Sequence, residues 1–299
     1  MKRFGGVVPE IASREHLKAL PLAVREATEQ SGVPLSEIDW LAVTNRPGLV
    51  GALLVGVSFT KGLAYCLGKP FTALSHVEAH LYSPLLAESE GRLAPPFPWI
   101  ALVVSGGHTE LFHVKAPLEH TWLGGTLDDA AGEAFDKIGK LLGLPYPAGP
   151  RIDKWVREQG TDELRRRIPF PRARTEDYQF SYSGLKTAVS LQMQKLIKPV
   201  PDETLLAIAA SAQEAILDPL VDKVRSAQKS LGVSQIVVTG GVACNSRLRE
   251  RLSDASFPEP RHCSDNAAMV ACLAGLHAKR GTLKPSPWEE TVSPYAELG

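Results

Sequence analysis

The sequence predicts an α/β protein of two lobes, and three observations carry the prediction. Short apolar runs of strand length alternate with longer segments of helical periodicity. A Pro-rich stretch, "APPFPW" from Ala94 to Trp99, interrupts the alternation and marks a linker. Two strand-like runs, "VVSGG" and "VVTGG", end in paired glycines, so one kind of turn recurs beyond the linker. The length of 299 residues fits one large domain or two ordinary lobes, and 44% hydrophobic residues supply a sizeable core.

From the N-terminus, "SREHLKALPLAVREATEQSG" has helical periodicity with Ser13 as its cap, and Pro21 is expected to kink or split it. "DWLAVT" reads as a short buried strand, and "RPGL" turns it into the helix "VGALLVGVSFTKGLAYCLG", closed by Gly68. "PFTAL" is a second strand leading straight into "SHVEAHLYSPLLAESEG", a helix with Ser75 as N-cap. After the linker, "IALVVS" and "TELFHV" are strands joined by a Gly-Gly turn. "LDDAAGEAFDKIGKLLGL" is an amphipathic helix, with Asp128 and Asp129 stabilising its N-terminus and Gly143 near its end. "YPAGP" is a turn, and helices follow near Ile152 to Gln159, Ser183 to Ile197 and Asp202 to Leu231. Strand "QIVVTG" runs into a helix start at "GVACNSRLRERL", and "SDNAAMVACLAGLHAKR" forms the last apolar helix. The expected division is a first lobe over 1–96, a second over 97–262, and a C-terminal helix within 263–299 returning to the first.

Charge and cysteine usage narrow the class. Lys+Arg and Asp+Glu both number 33, so the chain lacks the basic excess of a stand-alone nucleic-acid binder. A local basic patch or a basic partner would have to supply that charge. The four cysteines, Cys66, Cys244, Cys263 and Cys272, show no CxxC spacing and read as free thiols of a reducing cytosol. "MKRFGGVVPE" has no apolar core of a signal peptide, and the apolar run from Leu49 to Phe59 is broken by glycines and too short for a bilayer. A soluble, intracellular protein is expected.

"SHVEAH" raises the question of a metal. On a helix His76 and His80 lie one turn plus about 40° apart, so both rings can reach one ion, whereas Glu78 points to the opposite face. Zinc proteases need Glu directly after the first His or directly before the second, where this chain has Val77 and Ala79. Spacing alone leaves open whether these are ligands or two ordinary helix histidines. In "VVSGGHTE" the glycines let backbone N–H groups converge on an anion, with the Ser105 and Thr109 hydroxyls nearby; a plain hairpin turn is the simpler account. "VVTGGVACNS" is a strand, Gly-Gly and helix start, a geometry suited to phosphate. Together the two turns favour a nucleotide site, although neither GxxxxGK[ST] nor GxGxxG is present. Asp136 and Asp265 read from composition as a solvated mid-helix residue and a cap. Arg165, Arg166, Arg167, Arg172, Arg174 and Lys186 surround Tyr178, Phe180 and Tyr182, a mixture suited to phosphate contact with base stacking, or to an exposed basic loop.

In order, "GGVVPEIASREH", "PGLVGALLVG", "HVEAH", "VSGGHTE", "DDAAGEAFDK", "FSYSGLK", "GGVACN" and "CSDNAAM" resemble the TsaD family, the tRNA N6-adenosine threonylcarbamoyltransferases once called O-sialoglycoprotein endopeptidases. The resemblance covers nearly the whole chain. It implies an actin-like ATPase (ASKHA) fold of two ribonuclease-H-like lobes around a nucleotide cleft. It implies transfer of threonylcarbamoyl from threonylcarbamoyl-AMP to N6 of adenosine 37, just 3′ of the anticodon, in tRNAs reading codons that start with A. It implies His76, His80 and Asp265 as ligands of one divalent metal, Fe(2+) foremost with Zn(2+) as the alternative. Val103, Val104, Ser105, Gly106, Gly107, Asp136, Gly149 and Asn245 match substrate-binding positions. Arg165, Arg166, Arg167 and Lys186 are candidate tRNA contacts. Partners implied are tRNA and TsaB-like and TsaE-like subunits, in the cytoplasm.

With an activated carbamoyl-phosphate anhydride as donor, and no Ser or Cys nucleophile beside a local base evident, direct attack by the adenine amine is expected. Family members usually begin with a further strand pair, which this chain opens without, and Arg46 and Ala148 stand where glycines are common. Two other readings follow: a non-catalytic paralogue of the same complex, and a metal-dependent glycoprotease, the latter disfavoured by where Glu78 points.

Overall fold

The computed structural model of the chain describes residues 9–89 and 91–295. The first residues of the opening motif, Gly5 to Val8, lie outside them. The described chain forms two compact units, one of residues 9–83 and 266–295, the other of residues 84–265. The division thus falls before the Pro-rich stretch, whose neighbour Arg92 is paired with Glu259 of the second unit at 3.3 Å.

In the first unit, α1 (Pro9–Ser31) is longer than its periodicity predicts and runs through Pro21 without being split. Because the helix starts at Pro9, Ser13 lies inside it and is not its cap. The Ser13 hydroxyl instead donates back to the Pro9 carbonyl at 2.9 Å. Strand β1 (Leu41–Arg46), helix α2 (Val50–Leu67) and strand β2 (Phe71–Ser75) make a parallel crossover unit, with Leu41 opposite Phe71 and Arg46 opposite Ser75. Gly68 ends α2 in the left-handed conformation, as expected. The helix is longer than the apolar run within it: by length and composition α2 could cross a membrane, as could the mostly buried helix Asp202–Leu231. Here α2 packs on β1 and α1. Helix α3 (His76–Tyr82) begins where β2 stops, and the Ser75 hydroxyl accepts the Glu78 N–H at 3.4 Å, the predicted cap.

The second unit opens with α4 (Leu86–Ser89), then strands β3 (Trp99–Val104), β4 (Thr109–Ala116) and β5 (Glu119–Gly125). Helices α5 (Ala131–Leu141), α6 (Gly149–Gln159), α7 (Asp162–Arg166), α8 (Ser183–Gln194) and α9 (Asp202–Leu231) follow. Strand β6 (Gln235–Thr239), a 3₁₀ turn at Gly241–Cys244, α10 (Ser246–Arg251) and α11 (Pro260–Cys263) complete it. The sheet order is β5-β4-β3-β6, antiparallel except for β3 with β6. One face of the sheet, through Ile100, Leu102, Val104 and Leu111, joins Phe135 and Ile138 of α5 and Ile208 and Ile216 of α9 in one core. The alanines of α9, among them Ala209, Ala210 and Ala212, are buried and let neighbouring backbones approach.

The chain then returns to the first unit with α12 (Ala267–Lys279), capped by the Asn266 side chain, which accepts the Met269 N–H at 2.9 Å. This helix packs on α3 and β1. The following segment ties the unit together: the Thr72 hydroxyl donates to the Lys284 carbonyl at 2.7 Å, Ser286 N–H to the Phe71 carbonyl at 2.8 Å, and the Asn45 amide to Glu290 at 2.8 Å.

Asp128 serves a helix other than the one its position predicts. Its carboxylate accepts from the Tyr182 N–H at 2.7 Å, the Ser183 N–H at 3.3 Å and the Ser183 hydroxyl at 2.8 Å, and from the Ser181 hydroxyl. It therefore caps α8, while Asp129 pairs with Lys137 of α5. Partial burial pushes the Asp128 carboxyl up, but the bonds from Ser181, Tyr182 and Ser183 outweigh it and hold the group below the usual Asp range. Replacing Asp128 with Ala should lower stability to urea at pH 7 by about 1–2 kcal/mol. That contribution is present above the unfolded Asp pKa of about 3.9 and is lost as pH falls through the lowered folded value, so wild type and variant should converge in acid.

Candidate functional site

The predicted ligands converge. One donor atom each from His76, His80 and Asp265 lies within 4.8 Å of the other two. The one-turn spacing on α3 brings the imidazole rings to 4.7 Å between centroids, at 80° to each other. His80 is fully buried, His76 half-buried and Asp265 exposed. Asp265 immediately precedes the cap of α12, the helix packed on α3, so the cap that starts α12 also sets where this carboxylate stands. Two imidazoles and a carboxylate are a donor set that fits a divalent ion such as Fe(II) or Zn(II). Glu78 is outside this cluster. Burial raises its carboxyl above the usual range, and the Arg46 guanidinium partly offsets this. Arg46 therefore puts a cation beside the helix that carries His76 and His80.

In the second unit, the Gly-Gly turns stand at the ends of the neighbouring parallel strands β3 and β6. The Ser105 N–H donates to the His108 carbonyl at 2.8 Å, and its hydroxyl accepts the Gly107 and His108 N–H groups at 3.3 and 3.1 Å. Ser105 thus closes the turn and leaves Gly106 and Gly107 exposed, with open space where a side chain would be. Thr109 points the other way, buried and accepting the Ala131 N–H at 2.8 Å, so it starts α5 rather than facing an anion. Val103 and Val104 are fully buried. Gly240 has φ 94° and a Cβ there would lie 2.3 Å from the Val104 carbonyl oxygen, so this turn admits only glycine. Asn245 caps α10 by accepting the Leu248 N–H at 2.9 Å and donates to Gln213 at 3.2 Å.

Asp136 and Gly149 are brought together. The Asp136 carboxylate accepts the Ala148 N–H at 2.7 Å and also the Gly149 N–H, fixing the start of α6. Burial pushes this carboxyl up and the two N–H groups oppose it. Ala148 is buried against α5, where Gly139 makes room: a Cβ at that glycine would lie 2.1 Å from the Ala148 methyl.

The basic stretch is rearranged relative to its sequence reading. Phe180 and Tyr182 are core residues, the Tyr182 hydroxyl donating to the Ile216 carbonyl at 3.3 Å, and so do not serve as stacking platforms. Arg165 is paired with Asp162 and Glu214, Arg167 with Glu203, and Arg172 with Asp218. Arg166 and Lys186 are exposed.

Three features escaped the sequence reading. Buried Asp153 accepts the Ser246 N–H and hydroxyl at 3.0 and 2.7 Å, locking α6 to α10. Glu214 of α9 gathers Arg247 at 2.8 Å and Arg251 at 3.4 Å. Glu110, just after the first Gly-Gly turn, has one carboxyl oxygen sealed from solvent without a hydrogen-bond partner, and burial pushes its pKa to about 7. The first two have no local signal because their partners are distant in sequence, and Glu110 has none because its burial is set by tertiary packing.

Full-length HypF, solved in its phosphate- and nucleotide-bound form, superposes on 87% of this chain with a TM-score of 0.58 at 12% identity, over 40% of its own length. The chain is accordingly an actin-like ATPase-fold α/β protein, here carrying a two-histidine, one-carboxylate cluster. The profile of the TsaD family, tRNA N6-adenosine threonylcarbamoyltransferase, matches residues 1–272, and the chain belongs to that family. Curated relatives bearing that name include one from Fervidobacterium nodosum, 48% identical over 92% of this chain and 82% of its own length. Another, from Geotalea uraniireducens, is 46% identical over 90% and 78%.

Glu110 gives a pH test of this region. Its folded pKa is raised, so the folded state holds a proton that the unfolded chain releases, and stability falls as pH rises from about 4.3 toward 7. Glu110→Gln should remove this loss, unfolding at higher denaturant than wild type at pH 8 and with a smaller difference at pH 5.

Proposed function

We propose that this chain transfers the threonylcarbamoyl group from threonylcarbamoyl-AMP to N6 of adenosine 37 in tRNAs reading codons that start with A. The observation carrying the reading is the convergence of His76, His80 and Asp265 in a chain of this family. These residues would hold one divalent metal, Fe(2+) or Zn(2+), which supplies Lewis-acid polarisation at the reacting anhydride. The exposed backbone of Gly106 and Gly107 is suited to the adenylate, as is the turn that Asp136 holds at Ala148 and Gly149. Val103, Val104 and Ser105 support the first turn from behind, and Asn245 shapes the second by capping α10. The carbamoyl-phosphate anhydride is already activated, so N6 attacks it directly, AMP leaves, and no covalent enzyme intermediate is required.

On this reading tRNA phosphates meet the basic stretch at exposed Arg166 and Lys186, while Arg165 and Arg167 are engaged in ion pairs with Asp162 and Glu203. A zero net charge fits tRNA binding shared with TsaB-like and TsaE-like subunits in the cytoplasm. A glycoprotease would need Glu78 as general base beside the metal, and Glu78 lies outside the donor cluster.

The test is transfer itself. Protein, partner subunits, threonylcarbamoyl-AMP and unmodified tRNA should yield the modified nucleoside, and a chelator should abolish the yield until divalent metal is restored. Partner binding without any transfer would establish the non-catalytic paralogue instead, and metal-dependent cleavage of a glycoprotein the protease.

A further inference from the structure

Strand β1 ends in a bulge. Thr44 pairs with Leu74, but it is Arg46, not Asn45, that pairs with Ser75, so two residues of β1 stand against one of β2. Asn45 is the extra residue and is buried. The C-terminal segment holds it: the Asn45 amide donates to Glu290 at 2.8 Å and to the Thr291 carbonyl at 3.2 Å, and its own carbonyl accepts the Ser293 N–H at 3.0 Å. Lys61 of α2 clamps the same segment, donating to the Trp288 and Glu290 carbonyls at 2.6 Å each. The bulge is therefore anchored, and it delivers Arg46 to the carboxyl end of the parallel pair. There Arg46 stands opposite Ser75, which caps α3 and directly precedes His76.

Arg46 is incompletely partnered in that position. Its Nη1 donates to the Asn45 side-chain oxygen at 3.2 Å, whereas its Nε is sealed from solvent without an acceptor. A charged donor left unpaired in this way is costly, and the fold nevertheless keeps it. Arg172, Arg225 and Arg251 each hold an aspartate, but among the described residues no carboxylate forms an ion pair with Arg46. Glu78 feels its charge without pairing with it. The residue as a whole is only half-buried, so an incoming anion can reach it.

We infer that Arg46 is a specificity-determining residue of the candidate site, its guanidinium fork binding an oxyanion of the acyl donor beside the helix of His76 and His80. The inference rests on the transferase reading, because threonylcarbamoyl-AMP carries two such oxyanions: the carboxylate of its threonyl group and the phosphate of its adenylate. A planar fork grips either through two parallel N–H bonds, which the point charge of a lysine does not. The place fits as well. In open α/β sheets ligands bind outside the carboxyl ends of the strands, and this strand end carries the guanidinium with the first histidine one residue past Ser75. Bulges next to such sites re-aim a side chain. Without the bulge Asn45 would stand opposite Ser75, and Arg46 would lie one step further on and turn to the other face.

The test is calorimetric binding of two stable fragments of the donor, AMP and N-carbamoyl-L-threonine, to the full chain, with metal content determined in parallel. Arg46→Gln should weaken one fragment at least about tenfold and leave the other within about twofold. The fragment that suffers names the oxyanion: AMP for the phosphate, N-carbamoyl-L-threonine for the carboxylate. Arg46→Lys should recover part of the loss for that same fragment, because a charge remains where the fork is gone. Metal stoichiometry and the circular dichroism spectrum should match wild type. Equal binding of both fragments by wild type and Arg46→Gln would overturn the inference. So would a joint loss of both fragments and of metal, the mark of a merely structural residue. Should Arg46→Gln not fold, Arg46→Lys carries the test, with a loss confined to one fragment expected. If wild type binds neither fragment, the transferase reading itself fails and this inference falls with it.

Discussion

The first unit depends on the junction at Ser75, where β2 becomes α3 with no intervening loop. A strand end fixes one residue and a helix fixes the next, so the ring of His76 has a defined origin. The Ser75 hydroxyl holds the first turn, and helical geometry then places His80 one turn on and Glu78 on the far side. The third donor is set in the same way from the other direction: Asn266 caps α12, α12 packs on α3, and Asp265 stands at the cap's edge. Two caps and one helix–helix contact therefore assemble donors separated by most of the chain.

The second unit achieves its turns by a different economy. Its site residues face backbone more than they face solvent: Ser105, Asp136 and Asn245 each satisfy N–H groups of the segment they support. This is what buried polar side chains must do, because an unpaired N–H there costs about 1–3 kcal/mol. As a result the exposed backbone at Gly106 and Gly107 is held in a defined shape by the Ser105 hydroxyl. Glu110 departs from this pattern, with a sealed oxygen beside the same turn.

Most elements were legible because strand and helix periods differ and because glycine and serine punctuate them. The Ser75 cap, the Gly68 stop and the alternation through α5, α9 and α12 all follow from local chemistry. Strand β5 was missed because Glu119 to Thr121 are polar and its Trp122 is exposed, leaving no apolar alternation to detect. α7 is a single capped turn whose Leu164 alone is buried, too short for any period. The aromatic residues of the basic stretch were read as a surface because charges surround them in sequence, yet alternate residues turn inward and only burial distinguishes them. For the candidate site, the histidine pair was readable from spacing. Asp265 was not, since it joins through a tertiary contact, and it came only from the likeness of motifs.

The account rests on three donors forming one metal site, and equilibrium metal binding to the purified protein tests that most directly. Wild type should bind one divalent ion per chain, and the His76→Ala, His80→Ala double variant, folded by circular dichroism, should bind none at the same free concentration. Stoichiometric metal retained by the double variant would contradict the account.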